Sequence, residues 1–209
     1  LGAVATSSGA ITASIDIFDV TIHGHGTHGA QPHTGIDPVV IAAHLVSAWQ
    51  TIVSRTVNAQ DCAVISATAI NAGNSWNVIP DSAHIKGSVR TLSLEVREQV
   101  RDRFTTLTRQ LAESFGARAE IDYRSITPAM FNNVEQTAFA CDVAASIFGE
   151  NRVLRTMPAD MGSEDFAFML EQKPGCYLCL GGAPMEMSAQ TGKNIQAPQD
   201  LEHFVYKSA

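Results

Sequence analysis

Four histidines and four glycines occupy residues 23–38, which read His-Gly-His-Gly-Thr-His-Gly-Ala-Gln-Pro-His-Thr-Gly-Ile-Asp-Pro. Imidazole is the side chain whose proton balance lies nearest neutral pH, and glycine lets other groups approach the backbone closely. The stretch therefore predicts a loop that presents imidazoles, with His28 as the favoured chemical group. A plain glycine turn with surface histidines is the alternative. A self-contained metal site of His23, His25 and His28 is weaker still, because it lacks an Asp or other fourth ligand.

Two further polar residues stand near the ends of predicted strands. Asn77 precedes a proline-containing strand start, and Arg90 lies in the stretch Gly-Ser-Val-Arg-Thr at residues 87–91. Arginine is suited to a two-pronged grip on a carboxylate. Asparagine and histidine can donate hydrogen bonds to a carbonyl oxygen that gains charge in a transition state. Taken singly, Arg90 also fits a solvated surface charge, and Asn77 fits a turn residue.

Apolar periodicity predicts the elements that must position these groups. Residues 15–25 alternate as a half-buried strand with Phe18 out of phase, and Asp37 followed by Pro38 starts a helix over 39–55. Strands follow at 63–72, 83–92 and 119–126, and a second helix begins at the cap Ser93 and ends before Gly116. Its apolar stripe comprises Val96, Val100, Phe104, Leu107, Leu111 and Phe115. This order is the ferredoxin-like β-α-β-β-α-β arrangement, an antiparallel sheet with both helices on one face.

Residues 128–209 look less self-sufficient. They predict a helix at 133–148, a helix at 163–170, a short extended piece near Val153 and one buried strand at 176–180. Cys176 and Cys179 would face opposite sides of that strand, which indicates buried structural thiols rather than a metal pair. We interpret 128–209 as the closing portion of an α/β domain, 1–14 as a tail from the same domain, and 15–127 as an insertion in it. Its earlier strands are expected upstream of Leu1.

The composition excludes some function classes. The net charge of -7 and the scattered 14 Lys and Arg leave no basic field for nucleic acid. No apolar run approaches the roughly 20 residues needed to cross a bilayer, so no membrane partner is expected. Four dispersed cysteines fit a reducing compartment and hence a cytoplasmic location.

Several motifs together resemble a known family. They lie at residues 26–33 (Gly-Thr-His-Gly-Ala-Gln-Pro-His), 36–38 (Ile-Asp-Pro), 72–80 (Ala-Gly-Asn-Ser-Trp-Asn-Val-Ile-Pro), 87–91 and 161–166 (Met-Gly-Ser-Glu-Asp-Phe). In this order they resemble the M20 metallopeptidases, in the branch of hippurate hydrolases and N-acyl-amino-acid amidohydrolases.

The resemblance implies a metal-dependent amidohydrolase that cleaves the amide bond of N-acyl amino acids. Two divalent ions, zinc or manganese, would activate a bridging water, and a glutamate would take its proton. A ferredoxin-like lid would mediate homodimerisation, with His28 reaching the partner subunit's site to polarise the scissile carbonyl. Asn77 would line that site and Arg90 would bind the substrate carboxylate. Gly162 and Ser163 fall on a substrate-binding loop of the catalytic domain, where Glu164 or Asp165 is expected to hold the loop.

The chain departs from the family pattern near its C-terminus. The family places its last metal-binding histidine in a Leu-His-x-Pro-x-Tyr-Asp-Phe pattern, whereas residues 201–208 put Glu202 at that position and His203 one place late. His203 is the candidate metal ligand here. Most other ligands and the general base are expected upstream of Leu1, so an incomplete metal site and an inactive isolated chain are expected. A non-catalytic dimerisation module derived from such an enzyme is the alternative function.

Overall fold

The computed structural model describes residues 3–181. Its strands, numbered along the chain, are β1 (Val4–Ala5), β2 (Gly9–Thr12), β3 (Ser14–His23), β4 (Thr27–His28), β5 (Ala63–Ala72), β6 (Val78–Ile79), β7 (Ser82–Thr91), β8 (Arg118–Thr127), β9 (Met130–Asn132), β10 (Val153–Leu154) and β11 (Cys179–Leu180). Its α-helices are α1 (Pro38–Arg55), α2 (Leu94–Ser114), α3 (Val134–Phe148) and α4 (Ala167–Gln172). Single 3-10 turns occupy Pro32–Thr34 and Glu150–Arg152.

Backbone contacts divide the chain into two units. The inserted unit is Ser14–Pro128, and the flanking unit comprises the described residues on either side of it. Over residues 3–181, no helix combines the length and apolar character required to cross a membrane.

The inserted unit is a four-stranded antiparallel sheet in the order β5-β7-β3-β8. Because the chain runs β3-α1-β5-β7-α2-β8, the predicted ferredoxin-like arrangement is confirmed. Apolar side chains of both helices pack with those of one sheet face, with Trp49 and Phe104 completely buried between them. The other face carries mainly polar and charged side chains.

The phase of β3 differs from the prediction. Phe18, Val20 and Ile22 are the residues buried under the helices, whereas Ile15 and Ile17 point to the opposite face and are half-buried. The inward position between Ile15 and Ile17 belongs to Asp16. A carboxylate is tolerated there because it is paired with a cation.

Side-chain caps begin both long helices where the sequence predicts them. The Asp37 carboxylate accepts a hydrogen bond from the Val39 amide at 2.8 Å, and the Ser93 hydroxyl accepts one from Val96 at 3.1 Å. Each cap satisfies a backbone donor that has no partner within the helix.

In the second half of α2, the buried residues differ from those predicted. Thr108 is completely buried, Leu107 and Leu111 only line the core, and Phe115 is 42% exposed. The indole of Trp49 donates a 2.8 Å hydrogen bond to the Thr108 hydroxyl. A hydroxyl is favoured at position 108 over a larger apolar side chain, because the buried indole N–H needs an acceptor.

The flanking unit contains a three-stranded sheet, β10-β1-β11, and a two-stranded pair, β2-β9. The predicted strand at 176–180 is reduced to β11, and its Leu180 is 68% exposed, so the prediction of a buried strand was wrong. Before β11, side chains rather than a neighbouring strand form hydrogen bonds with the Tyr177 backbone. The Tyr177 amide donates to the Asn132 side chain at 2.7 Å, and the Tyr177 carbonyl accepts from Thr6 and Asn132.

The predicted helix at 163–170 begins later, at Ala167. Ahead of it, the Ala167 amide donates to the Glu164 carbonyl and the Phe168 amide to the Asp165 carbonyl. This i to i+3 bonding is tighter than an α-helix and is common at helix starts.

Candidate functional site

The loop that carries the histidines is closed by backbone hydrogen bonds. His25 and Ile36 exchange two such bonds, each 2.9 Å long. The Asp81 carbonyl accepts from Gly24 at 2.8 Å, and the Asp81 carboxylate accepts from the Gly26 amide at 2.8 Å. The loop is therefore fixed at its base from two sides.

The glycines of this loop are required by close approach rather than by unusual backbone angles. A Cβ at Gly35 would lie 2.5 Å from the His25 carbonyl oxygen, and one at Gly26 would lie 2.9 Å from the Asp81 carboxylate. A Cβ at Gly24 would overlap the Ile36 carbonyl. None of these glycines has a positive φ. The sequence density of glycine thus reflects a tightly folded loop.

The backbone segments that carry His28 and Asn77 lie side by side. His28 lies opposite Val78 in the β4-β6 pair, and the Gly29 amide donates to the Asn77 carbonyl at 2.7 Å. The His28 side chain is exposed, and its Nδ1 accepts a 3.1 Å hydrogen bond from the Ala30 amide. Because Nδ1 acts as an acceptor, the proton of the neutral ring resides on Nε2. His28 therefore presents an N–H donor.

The Asn77 side chain presents the same kind of group. Its Oδ1 accepts from the Ser75 hydroxyl at 3.0 Å, and among the described residues its NH₂ group has no hydrogen-bond partner. Two donors, from His28 and Asn77, thus lie at one end of the inserted unit. Each of them is a donor of the kind that can hold a carbonyl oxygen that becomes negative.

Arg90 lies at the other end of the sheet. It sits on the face away from the helices, opposite Ile15 of β3 and Val64 of β5. Ser82, which starts β7 beside the histidine loop, is eight residues away along the strand. At about 3.4 Å per residue this is about 27 Å. Within one chain, therefore, Arg90 is not brought together with His28.

Gly162 and Ser163 lie in the flanking unit, outside any helix. The Gly162 amide donates to the Asp160 carboxylate at 2.9 Å, and its carbonyl accepts from the Ala13 amide at 2.8 Å. The Ser163 side chain is exposed. This backbone bonding fixes Gly162 and leaves the neighbouring hydroxyl accessible.

The acidic residues after Ser163 do not cap α4, which begins without a side-chain cap. Instead, Glu164 accepts a 3.4 Å hydrogen bond from the Tyr177 hydroxyl. Burial, followed by the nearby Glu164 charge, raises the pKa of Tyr177. The contact gives Glu164 a part in holding the loop. Burial also raises the pKa of Cys179, with a further contribution from Asp160, so this thiol stays protonated near neutral pH.

The residues do not fit a resident metal centre. Across 3–181, no three His, Cys, Asp or Glu side chains are close enough together to hold an ion. The alternative of a metal site at His23, His25 and His28 therefore has no support, and His23 instead lies 3.2 Å from Glu120. His203 lies outside the described residues.

Two residues near the histidine loop, Asp81 and Trp76, were not predicted to be functional from the sequence. Asp81 braces the histidine loop, and the only signal was its place directly after the motif at residues 72–80. Trp76 is 106% exposed relative to a reference tryptophan. Its position beside Asn77 within the same motif was the available signal.

Comparison with known proteins places these features in a family. Residues 8–115 match the family model of the M20 peptidase dimerisation domain. The chain is 40% identical over 181 residues to N-acetyl-L-cysteine deacetylase of Bacillus subtilis, covering 87% of this chain and 43% of that protein. It is 38% identical over 172 residues to hippurate hydrolase of Campylobacter jejuni, covering 82% of this chain and 45% of that protein.

Solved structures agree with the fold. An M20 dinuclear metal-binding peptidase of Bacillus subtilis superposes with a TM-score of 0.65 at 31% identity, covering 85% of this chain and 43% of that one. A Staphylococcus aureus protein assigned as an aminohydrolase gives a TM-score of 0.77 at 26% identity, covering 85% and 45%.

The chain spans a little under half the length of the curated relatives it matches. The family model covers the whole sequence from β2 through α2, including the histidine loop and Arg90. On this match and on the shared fold, the chain belongs to the M20 family of metallopeptidases and amidohydrolases.

Proposed function

We propose that this chain serves a metal-dependent amidohydrolase that cleaves N-acyl amino acids and works as a homodimer. Residues 15–127 would be the dimerising lid, and 1–14 with 128–209 would belong to the catalytic domain. The observation that supports the proposal is that N–H donors of His28 and Asn77 lie at the opposite end of the sheet from Arg90.

The separation fits a substrate only if two copies contribute. In an N-acyl amino acid, just two atoms stand between the scissile carbonyl carbon and the carboxylate carbon. Because Ser82, beside the histidine loop, lies about 27 Å along β7 from Arg90, one copy cannot place both His28 and Arg90 on so small a molecule. If one copy supplies His28 and the other supplies Arg90, the two groups can meet at one substrate. A homodimer with two-fold symmetry would form two such sites.

The two sheet edges differ in a way that supports a specific dimer contact. Edge strand β5 contains no charged residue, and it carries the exposed apolar side chains of Val64 and Ile70. Edge strand β8 carries four charged side chains, at residues 118, 120, 122 and 124. Charged edges resist pairing with another strand. The β5 edge is therefore the favoured place for a second copy to pair.

Each residue then has a stated task. The His28 Nε2–H and the Asn77 amide would donate to the scissile carbonyl oxygen and stabilise its negative charge during attack. Arg90 would hold the carboxylate in a two-pronged hydrogen-bonded pair and so orient the amide. Gly162 and Ser163 would contact the substrate from the flanking unit. The described residues do not supply a metal site, so no step is assigned here to the ions of the family.

Active-site complementation tests this function in the full-length protein that carries this chain. His28→Ala and Arg90→Ala are each expected to reduce kcat/KM for an N-acyl amino acid by at least about 100-fold. When the two variants are dissociated, mixed in equal amounts and reassociated, half of the dimers are hybrids with one intact site in two. About a quarter of wild-type activity should return, because the partner supplies His28.

Restoration near zero, with hybrids confirmed by native mass spectrometry, would contradict the shared site. Full activity of the His28→Ala variant would remove the role of His28 altogether. Each variant mixed with itself is the control for reassociation losses.

A dimerisation module without catalysis is the second candidate, favoured by the lack of a metal cluster within 3–181. It predicts that the isolated chain dimerises and that the full-length protein hydrolyses no N-acyl amino acid at any divalent-metal concentration. Sedimentation velocity together with a hydrolysis assay separates the two candidates.

A further inference from the structure

Trp76 is the most exposed large apolar residue in the described part of the chain, at 106% of a reference tryptophan. Tryptophan carries a large apolar surface that is normally covered, and it is enriched where partners or ligands are bound. The other tryptophan, Trp49, is completely buried in the core. An exposed indole here calls for a ligand or partner that covers it.

Its position ties it to His28. Trp76 precedes Asn77, whose carbonyl accepts the 2.7 Å hydrogen bond from Gly29, the residue after His28. Val78, opposite His28 in the β4-β6 pair, is also half exposed, at 52%. Whatever receives the His28 imidazole therefore meets apolar surface beside it.

The structure of the substrate indicates which of its groups would contact this apolar surface. If His28 donates to the scissile carbonyl oxygen, the acyl substituent is bonded to that same carbonyl carbon. The amino-acid part, ending in the carboxylate, leaves the carbonyl on the other side, toward Arg90. Groups next to His28 on its own copy are thus placed to contact the acyl substituent rather than the amino acid.

We propose that Trp76 is a specificity residue that packs against the acyl group and selects bulky apolar or aromatic acyl chains over acetyl. The inference rests on the proposed function, because it takes the role of His28 from it. Indole and an aromatic acyl ring can stack edge to face or offset, and both lose apolar surface to water. An acetyl group is too small to cover the indole.

The test compares kcat/KM for N-benzoylglycine and N-acetylglycine in the full-length protein. Trp76→Ala should lower the benzoyl value by at least about ten-fold and change the acetyl value less than about two-fold, because only the larger acyl group loses its contact. Trp76→Phe should retain most of the benzoyl preference. Leu94→Ala, which truncates another exposed apolar residue of the inserted unit, is the matched control and should leave the ratio unchanged.

A second readout does not need turnover. Acrylamide reaches only exposed indole, so of the two tryptophans in this chain only Trp76 is quenchable, and the quenchable emission that is lost in Trp76→Phe is assigned to it. With EDTA present to stop hydrolysis, N-benzoylglycine should protect this emission from acrylamide more than N-acetylglycine does.

The outcomes distinguish failure of the Trp76 assignment from failure of the proposed function. An unchanged benzoyl-to-acetyl ratio in Trp76→Ala, or equal loss on both substrates with a shift toward monomer, would overturn the acyl assignment and leave the proposed function standing. The second pattern would place the indole in the dimer contact instead. Absence of hydrolysis of every N-acyl amino acid by the wild-type protein would overturn the proposed function, and this inference with it.

Discussion

The Arg97 guanidinium of α2 forms an ion pair with the Asp16 carboxylate of β3, on the sheet face that the helices cover. The guanidinium Nε lies 3.0 Å from Oδ1 and 3.2 Å from Oδ2 of Asp16, whose side chain is only 1% exposed. The Arg97 Nη2 donates to Oδ1 at 2.5 Å, and the Tyr123 hydroxyl donates a fourth hydrogen bond, to Oδ2 at 3.0 Å. A buried charge is tolerated here because both oxygens are satisfied.

Removing the carboxylate should therefore destabilise the inserted unit. In Asp16→Asn, Arg97 keeps its buried charge without a counter-ion, and we expect a loss of about 3 kcal/mol in the free energy of unfolding. Urea unfolding followed by circular dichroism measures this loss. Asp122→Asn is the matched control, because its pair with Arg124 spans 3.1 Å but lies in solvent, and it should cost less than about 1 kcal/mol. Equal losses in the two variants would show that the buried pair has no special role.

The same cluster predicts a fall in stability at high pH. Burial, and then the charge of Asp16, raises the pKa of Tyr123 above its ordinary value near 10. Since the folded state holds the phenol neutral while the unfolded chain ionises it, the stabilisation is complete below pH 10. It is lost as the pH rises above that value, at up to about 1.4 kcal/mol per pH unit.

Urea midpoints at pH 9 and pH 11 test this linkage. Tyr123→Phe lowers stability at both values by removing a hydrogen bond, but its decline between them should be shallower than that of the wild type. Parallel declines would mean that other groups cause the alkaline loss.

The order of elements in the inserted unit could be predicted from sequence because apolar periodicity and helix caps are local signals. The cap residues Asp37 and Ser93 lie within three residues of the amides they satisfy. The phase of β3 could not be predicted in this way. The local pattern around Asp16 predicts a surface residue, and only the contact with Arg97, 81 residues away in sequence, explains its burial.

The candidate site likewise has features that local sequence signals predict and features that depend on distant contacts. The histidine loop was recognisable from composition, and the reason for its glycines is a local one. The pairing of His28 with the strand after Asn77 and the bracing by Asp81 depend on contacts between distant segments. The extended strand assumed at 176–180 failed because Asn132, far earlier in the chain, takes the backbone bonds of Tyr177.

The closed base of the histidine loop makes Gly35 sensitive to a single methyl group. In Gly35→Ala the new Cβ would meet the His25 carbonyl at 2.5 Å, so the two bonds between His25 and Ile36 must open. Amide hydrogen exchange at these two residues should accelerate by at least about ten-fold. In the control Gly175→Ala, the nearest atom to the Cβ would be a flexible Leu170 methyl at 2.8 Å, with the Lys173 carbonyl oxygen at an ordinary 3.9 Å, and exchange in the histidine loop should not change.

The uncharged β5 edge predicts how the dimer can be broken. Ile70 is 51% exposed on β5, and a lysine there would place a charge where a second copy is expected to pair. We expect Ile70→Lys to shift the sedimentation coefficient from dimer to monomer at micromolar concentration while the circular dichroism spectrum stays unchanged. Ile126→Lys places the same charge on the opposite edge, β8, at a residue of similar exposure, 46%, and should leave the dimer intact. If Ile126→Lys dissociates the protein and Ile70→Lys does not, the pairing edge is β8. The charged side chains there would then have to be neutralised across the contact.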